Sequence, residues 1–147
     1  MRFLPVLMAL LLTAVLLTAA QSTAPVSVTY LDHDKVAEAF AKGGALARGS
    51  DFTASGARRT GPGQVEVHDK ETDIFYITDG EATFITGGAV VGGKTTAPNQ
   101  IRGADITGGT VHNLKKGDFI VIPAGTPHWF KEVPKSVNYY MVKVIKP

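Results

Sequence analysis

The sequence predicts an all-β domain, a barrel or sandwich of many short strands preceded by one short helix. Three observations lead there. From Phe52 onward Gly, Thr, Val and Ile dominate, and no helical period persists. Strand-like runs of four to nine residues alternate with turns rich in Gly, Pro and Asp. The 147 residues suit one domain with one sizeable core, and neither an internal repeat nor a second domain is visible.

Residues 1–20 read as a secretory signal peptide. Arg2 supplies the positive start, Phe3 to Leu17 is almost wholly apolar, and Thr18-Ala19-Ala20 offers small residues for cleavage. The run is too short for a comfortable membrane span, so stable membrane insertion is not expected once the signal is removed. A periplasmic or secreted location follows. The chain has no Cys, which excludes a lipid-modified cysteine and every disulfide. An exported domain of this kind must be held by its core alone. The formal charge of +2 falls to about +1 when Arg2 leaves, and the basic residues are scattered apart from Arg58-Arg59 and Lys115-Lys116. That pattern argues against nucleic acid as a partner.

Residues 21–50 form a lead-in and the short helix, and 51–147 the β-barrel. Asp32 stands before an Ala-rich amphipathic run, and Gly43-Gly44 ends it. Strands are expected at Gln64–His68, Ile74–Thr78, Glu81–Thr86, Thr110–Leu114, Phe119–Ile122, from His128, and at Val137–Ile145. Asp79-Gly80 reads as a hairpin turn, with Glu81–Thr86 as the returning strand. Residues 87–109 read as a long irregular connection that shapes one mouth of the barrel.

Two segments carry chemistry. The first runs from Val65 through Glu66, Val67 and His68 to Asp73 and Gly80; the second runs from Gly117 to His128. Residues two apart in a strand share a face, so Glu66 and His68 point one way and Val65 and Val67 the other. Alternation alone favours the two valines inside and the polar pair in water. If Glu66 and His68 face inward instead, a divalent cation would give them a reason to be buried. Imidazole with carboxylate suits iron, manganese, zinc, nickel or copper, and two His with one carboxylate can form a facial triad with open positions. Phe75 and Ile77 share the parity of Asp73 and would line the interior, whereas Tyr76 packs outside. Glu71 is a weaker ligand candidate, His112 is either structural or able to reach the cavity, and His33 sits at the surface. Trp129 points away from His128. Arg58, Arg59 and Arg102 are solvated by default, though any one of them could bind a substrate carboxylate. No nucleotide loop, serine elbow or cysteine nucleophile is present.

These two segments resemble the paired motifs of the cupin superfamily. Gly117, Pro123, Gly125 and His128 match the second motif, G-x5-P-x-G-x2-H, with Glu132 where an Asn follows. In the first motif His68 falls on the second His, and Asp73, separated from Gly80 by six residues, falls on the Glu position. Glu66 falls on the first His position. The resemblance covers residues 65–132. It implies a double-stranded β-helix (jelly-roll) barrel, with one divalent metal at Glu66, His68 and His128. Asp73 would be a ligand or would orient His68. The functional expectation is a metal-dependent enzyme on a small oxygen-rich substrate, of dioxygenase, isomerase, decarboxylase or lyase type, with Asp73 or His112 as general base. The alternative is a non-catalytic small-ligand-binding or dimeric interaction protein without a working metal. A homodimer is expected by resemblance only.

Overall fold

A computed structural model describes residues 27–146 of the chain. The signal segment at 1–20 lies outside the described residues. Helix α1 (His33–Lys42) starts where Asp32 accepts a hydrogen bond from the Lys35 backbone N–H at 3.0 Å, satisfying one of its free donors. Its Phe40 packs edge-on against Tyr140, with ring centroids 4.9 Å apart. Strands begin earlier than Phe52, since β1 (Gly44–Arg48) already pairs with β2 (Phe52–Arg59).

The remaining strands are β3 (Val65–His68), β4 (Glu71–Thr86), β5 (Ala89–Val91), β6 (Lys94–Ala97), β7 (Gln100–Gly103) and β8 (Asp105–Thr107). They continue with β9 (Thr110–Lys115), β10 (Phe119–Ile122), β11 (His128–Glu132) and β12 (Val137–Ile145). One sheet runs β1-β2-β12-β4-β10 and the facing sheet β9-β4-β11-β3-β7-β6. Strand β4 belongs to both, giving the double-stranded β-helix without a closed ring of hydrogen bonds. Residues 87–109 are not irregular: β5 and β8 form a separate ribbon, while β6 and β7 extend the second sheet beside β3.

Asp79-Gly80 is not a hairpin. Strand β4 runs on through it for 16 residues, and Glu81–Thr86 continues forward instead of returning. Gly80, at φ +77°, bends the strand from one sheet into the other beside a register shift at Asn138/Tyr139. A Cβ there would stand 1.9 Å from the Ser136 carbonyl oxygen, so only glycine fits. Asp-Gly therefore does signal positive φ, but the geometry serves a strand bend and not a reversal.

The core between the sheets is aromatic. Phe75, Phe84, Phe130 and Tyr139 are all buried and pack on Ile77, Leu114, Ile122 and Val137. A smaller cluster of Val65, Ile85 and Ile106 lies behind β3, with Trp129 against it. Phe75 and Ile77 face inward and Tyr76 is exposed, as strand parity predicts. Among the described residues, no helix is long and apolar enough to cross a membrane.

Candidate functional site

Strand β3 breaks the alternation rule. Val65 and Val67 are buried on one face, yet His68 on the other is only 4% exposed and Glu66 only partly exposed. The reason is packing on both faces: Val65 joins the small apolar cluster and Val67 is buried on the same side, while the barrel interior receives Glu66 and His68. The reading of a solvated polar pair is therefore overturned.

The second segment delivers His128. Gly125, at φ +79°, turns the chain after Pro123, and its N–H bonds the His68 carbonyl oxygen at 2.8 Å. His128 then lies directly across from Glu66 in the β11/β3 pairing. Asp73, 2% exposed, enters from the first half of β4. All four side chains line one cavity of about 320 Å³.

One oxygen of each carboxylate and one nitrogen of each imidazole converge. Glu66 Oε2 lies 3.4 Å from His68 Nε2 and 3.7 Å from His128 Nε2. Asp73 Oδ2 lies 3.6 Å and 3.5 Å from the same nitrogens. Both Nε2 atoms are buried and lack a hydrogen-bond partner. The outward oxygens are clamped by cations. Arg102, the cross-strand neighbour of Glu66 on β7, donates to Glu66 Oε1. Lys143, the cross-strand neighbour of Asp73 on β12, donates to Asp73 Oδ1 at 2.9 Å and to Glu71 Oε2 at 2.8 Å. Burial pushes the Glu66 carboxyl up, but the adjoining His128 and His68 rings and the Arg102 charge outweigh it. Its pKa is held well below the usual carboxylate range.

These contacts test whether a cation fits. The backbone carbonyl of Thr126 lies 3.1 Å from His128 Nδ1 and accepts a hydrogen bond from its N–H, which in the neutral ring leaves the Nε2 lone pair facing the cavity. A lone pair opposite two carboxylate oxygens is repulsive unless a positive charge stands between them. Ligands about 2.0–2.1 Å from a tetrahedral ion lie roughly 3.4 Å from one another, close to the separations found here. The residues fit a divalent ion. At His68, Gln100 Nε2 lies 2.6 Å from Nδ1. Ligation through Nε2 places the proton on Nδ1, and the Gln100 amide supplies the matching acceptor when its oxygen faces the ring. A second grouping of His68, Glu71 and Asp73 is weaker. Glu71 is on the Nδ1 side, 3.8 Å away, and is already held by Lys143.

Other expectations resolve differently. His112 does not line the cavity; its Nε2 is 2.8 Å from the Thr86 hydroxyl, so it serves the β9/β4 pairing and not as a base there. Trp129 donates to the Gly63 carbonyl at 2.8 Å and packs behind β3, at the edge of the cavity. Arg102 is an ion-pair partner and not a solvated side chain. Gln100, Lys143 and Tyr139 escaped sequence reasoning, because only the register between distant strands brings them here. Burial raises the Tyr139 phenol above its usual range despite the nearby Arg59 charge, so at neutral pH it is a protonated donor.

Hydroquinone 1,2-dioxygenase from Sphingomonas sp. TTNP3, solved with 4-hydroxybenzoate bound, superposes with a TM-score of 0.56 at 15% identity, over 83% of this chain and 82% of that one. The cupin domain of Schizosaccharomyces pombe Cnp3 gives 0.51 at 14% identity, over 70% of this chain and only 59% of that one. A Klebsiella pneumoniae protein with a double-stranded β-helix domain gives 0.51 at 17% identity, over 75% and 86%. At such identities the likeness concerns the fold alone. Comparison with the sequences of curated proteins yields no match. The family pattern described as "Cupin" matches residues 26–146, nearly the whole domain described above, and the chain belongs to the cupin family.

Proposed function

We propose that this cupin binds one divalent metal through Glu66, His68 and His128, with Asp73 as the fourth ligand, and acts on a small oxygen-rich substrate. The observation that carries this reading is the pair of buried, partnerless Nε2 atoms converging on two carboxylate oxygens. A bound iron, manganese, zinc, nickel or copper ion would supply Lewis-acid or redox chemistry to a substrate oxygen. The chain's own residues do the rest. Arg102 and Lys143 orient the carboxylates, and the Thr126 carbonyl holds His128 in the ligating tautomer. Phe75, Phe130 and Met141 contribute apolar lining, and Tyr139 offers a hydrogen bond from a neutral hydroxyl. Reaction classes compatible with this site are dioxygenation, isomerisation, decarboxylation and lyase chemistry. We further propose export to the periplasm or exterior, from residues 1–20.

Elemental analysis of the purified domain, before and after incubation with each of the five ions, tests this. Near-stoichiometric metal that raises the melting temperature, with both effects lost in His128→Ala, is the expected result. Sub-stoichiometric metal that no added ion restores would remove the proposal. The second reading, a ligand-binding cupin without a working metal, is favoured by Glu66 and Asp73 standing where the family motif has His and Glu. It requires wild type and His128→Ala to melt alike with or without metal.

A further inference from the structure

Arg58, Arg59 and Arg102 are equivalent in the sequence as carboxylate binders, and the structure separates them. Arg58 is exposed. Arg102 is committed to Glu66. Arg59, the last residue of β2, turns into the cavity. Its guanidinium carbon sits 5.0 Å from the centroid of the Phe130 ring. On the other side is Gly63, where a Cβ would approach Arg59 Nη1 to 2.7 Å. Gly63 is pinned by its N–H to the Phe130 carbonyl at 2.9 Å and by its own carbonyl to Trp129. The guanidinium thus lies in a slot between an aromatic face and a fixed stretch of backbone.

What the slot lacks is an anion. Arg59 Nε is buried without a hydrogen-bond partner, and no carboxylate lies within ion-pair distance of Arg59 among the described residues. The other two cations at the cavity, Arg102 and Lys143, are both paired. A partly dehydrated, pre-oriented guanidinium with no paired anion is a receptor for a planar oxyanion, which it can grip through two parallel hydrogen bonds. Between Arg59 and the carboxylate–histidine cluster the wall is built of aromatic rings. Phe75 and Phe130 are stacked at 5.9 Å between centroids, and Tyr139 adjoins them at 5.0 and 5.2 Å. The volume of about 320 Å³ suits a single-ring molecule, at the small end of ligand cavities.

We propose that Arg59 anchors the carboxylate of a small ligand whose flat apolar body lies along Phe75 and Phe130, leaving its opposite end toward Glu66, His68 and His128. This rests on the reading of the cavity as a ligand chamber. It narrows "oxygen-rich" to monocarboxylates with a compact planar body.

Isothermal titration with matched probes tests it. Benzoate and 4-hydroxybenzoate carry the charge; benzamide and 4-hydroxybenzamide keep the shape without it. Each is titrated into metal-loaded and chelator-stripped protein, with metal content measured in parallel. The carboxylates should bind wild type at least about tenfold more tightly than the amides. Arg59→Met should cost about ten- to a hundredfold in carboxylate affinity while leaving amide affinity and metal content unchanged. Arg59→Lys should fall between, because it restores the charge without the fork. His128→Ala should keep the carboxylate preference. Absence of binding by every probe to wild type would overturn the proposal. So would a preference that survives Arg59→Met or vanishes in His128→Ala, since the carboxylate would then sit on the ion. A protein without metal that still shows the Arg59-dependent preference would remove the metal centre and keep this inference.

Discussion

Along β4, Asp73, Phe75 and Ile77 point into the barrel one after another, yet they enter two different environments. Phe75 and Ile77 join Phe84, Leu114, Phe130 and Val137 in a dry cluster held by shape. Asp73, two residues earlier, meets His68, His128 and Lys143 in a polar cluster held by charge. The same strands β4, β11 and β12 furnish both ends, so backbone architecture does not distinguish them. The apolar end needs only volume, and through Phe75 and Phe130 it also gives the cavity its aromatic wall. The polar end is complete only if every buried donor and acceptor has a partner, and two imidazole nitrogens have none. One end stabilises the fold by packing; the other leaves two buried ring nitrogens without a partner.

Variants can break this comparison, and the largest effect belongs to the apolar end. Phe84→Ala, at a fully buried position, should cost about 3–5 kcal/mol in urea unfolding. The loss should be nearly equal with and without chelator, because Phe84 supplies no ligand atom and meets the site only where its ring lies 6.1 Å from that of His128. A chelator-dependent loss would mean the two ends are one unit. Lys143→Met leaves the Asp73 carboxylate buried without its cation, and should cost about 3 kcal/mol in chelated protein. Added zinc should recover part of it, as the ion supplies the missing positive charge. Equal losses in both states would show that Asp73 does not share the ion.

Gly80→Ala tests the bend that divides β4 between the sheets. Its positive φ and the Ser136 carbonyl oxygen together predict a loss of about 2 kcal/mol or more by thermal unfolding. The smallest effect sharpens the comparison. Gln100→Leu removes only the group that orients His68, and should weaken metal affinity about tenfold. Competition with a chromophoric chelator would measure it, and stability of the chelated protein should stay within about 0.5 kcal/mol.

Much of this was legible locally. The composition after Phe52, the turn residues, and the Gly117-to-His128 segment indicate the barrel and one histidine of the site without any coordinates. Parity places Phe75, Ile77 and Tyr76 as found. Parity misleads at β3 because the rule assumes one solvated face, whereas both faces of that strand are covered. Asp79-Gly80 misleads because a hairpin and a strand bend need the same positive φ, and the local sequence carries no information on which follows. Residues 87–109 hide four short strands because their glycines and exposed positions mask the alternation.

What the sequence by itself determined is the β class, the short helix, and the set of residue types able to form a site. Side-chain direction repeats every two residues in a strand, so that part of the design is written locally. The tertiary structure alone decided that Glu66 and His68 face inward, that Arg102 and Lys143 clamp the carboxylates, and that Arg59 has no anionic partner. Those partners lie 36 residues apart for Arg102 and Glu66 and 70 for Lys143 and Asp73. Register between strands so distant is set by how two sheets pack, a property of the whole fold that no stretch of sequence expresses.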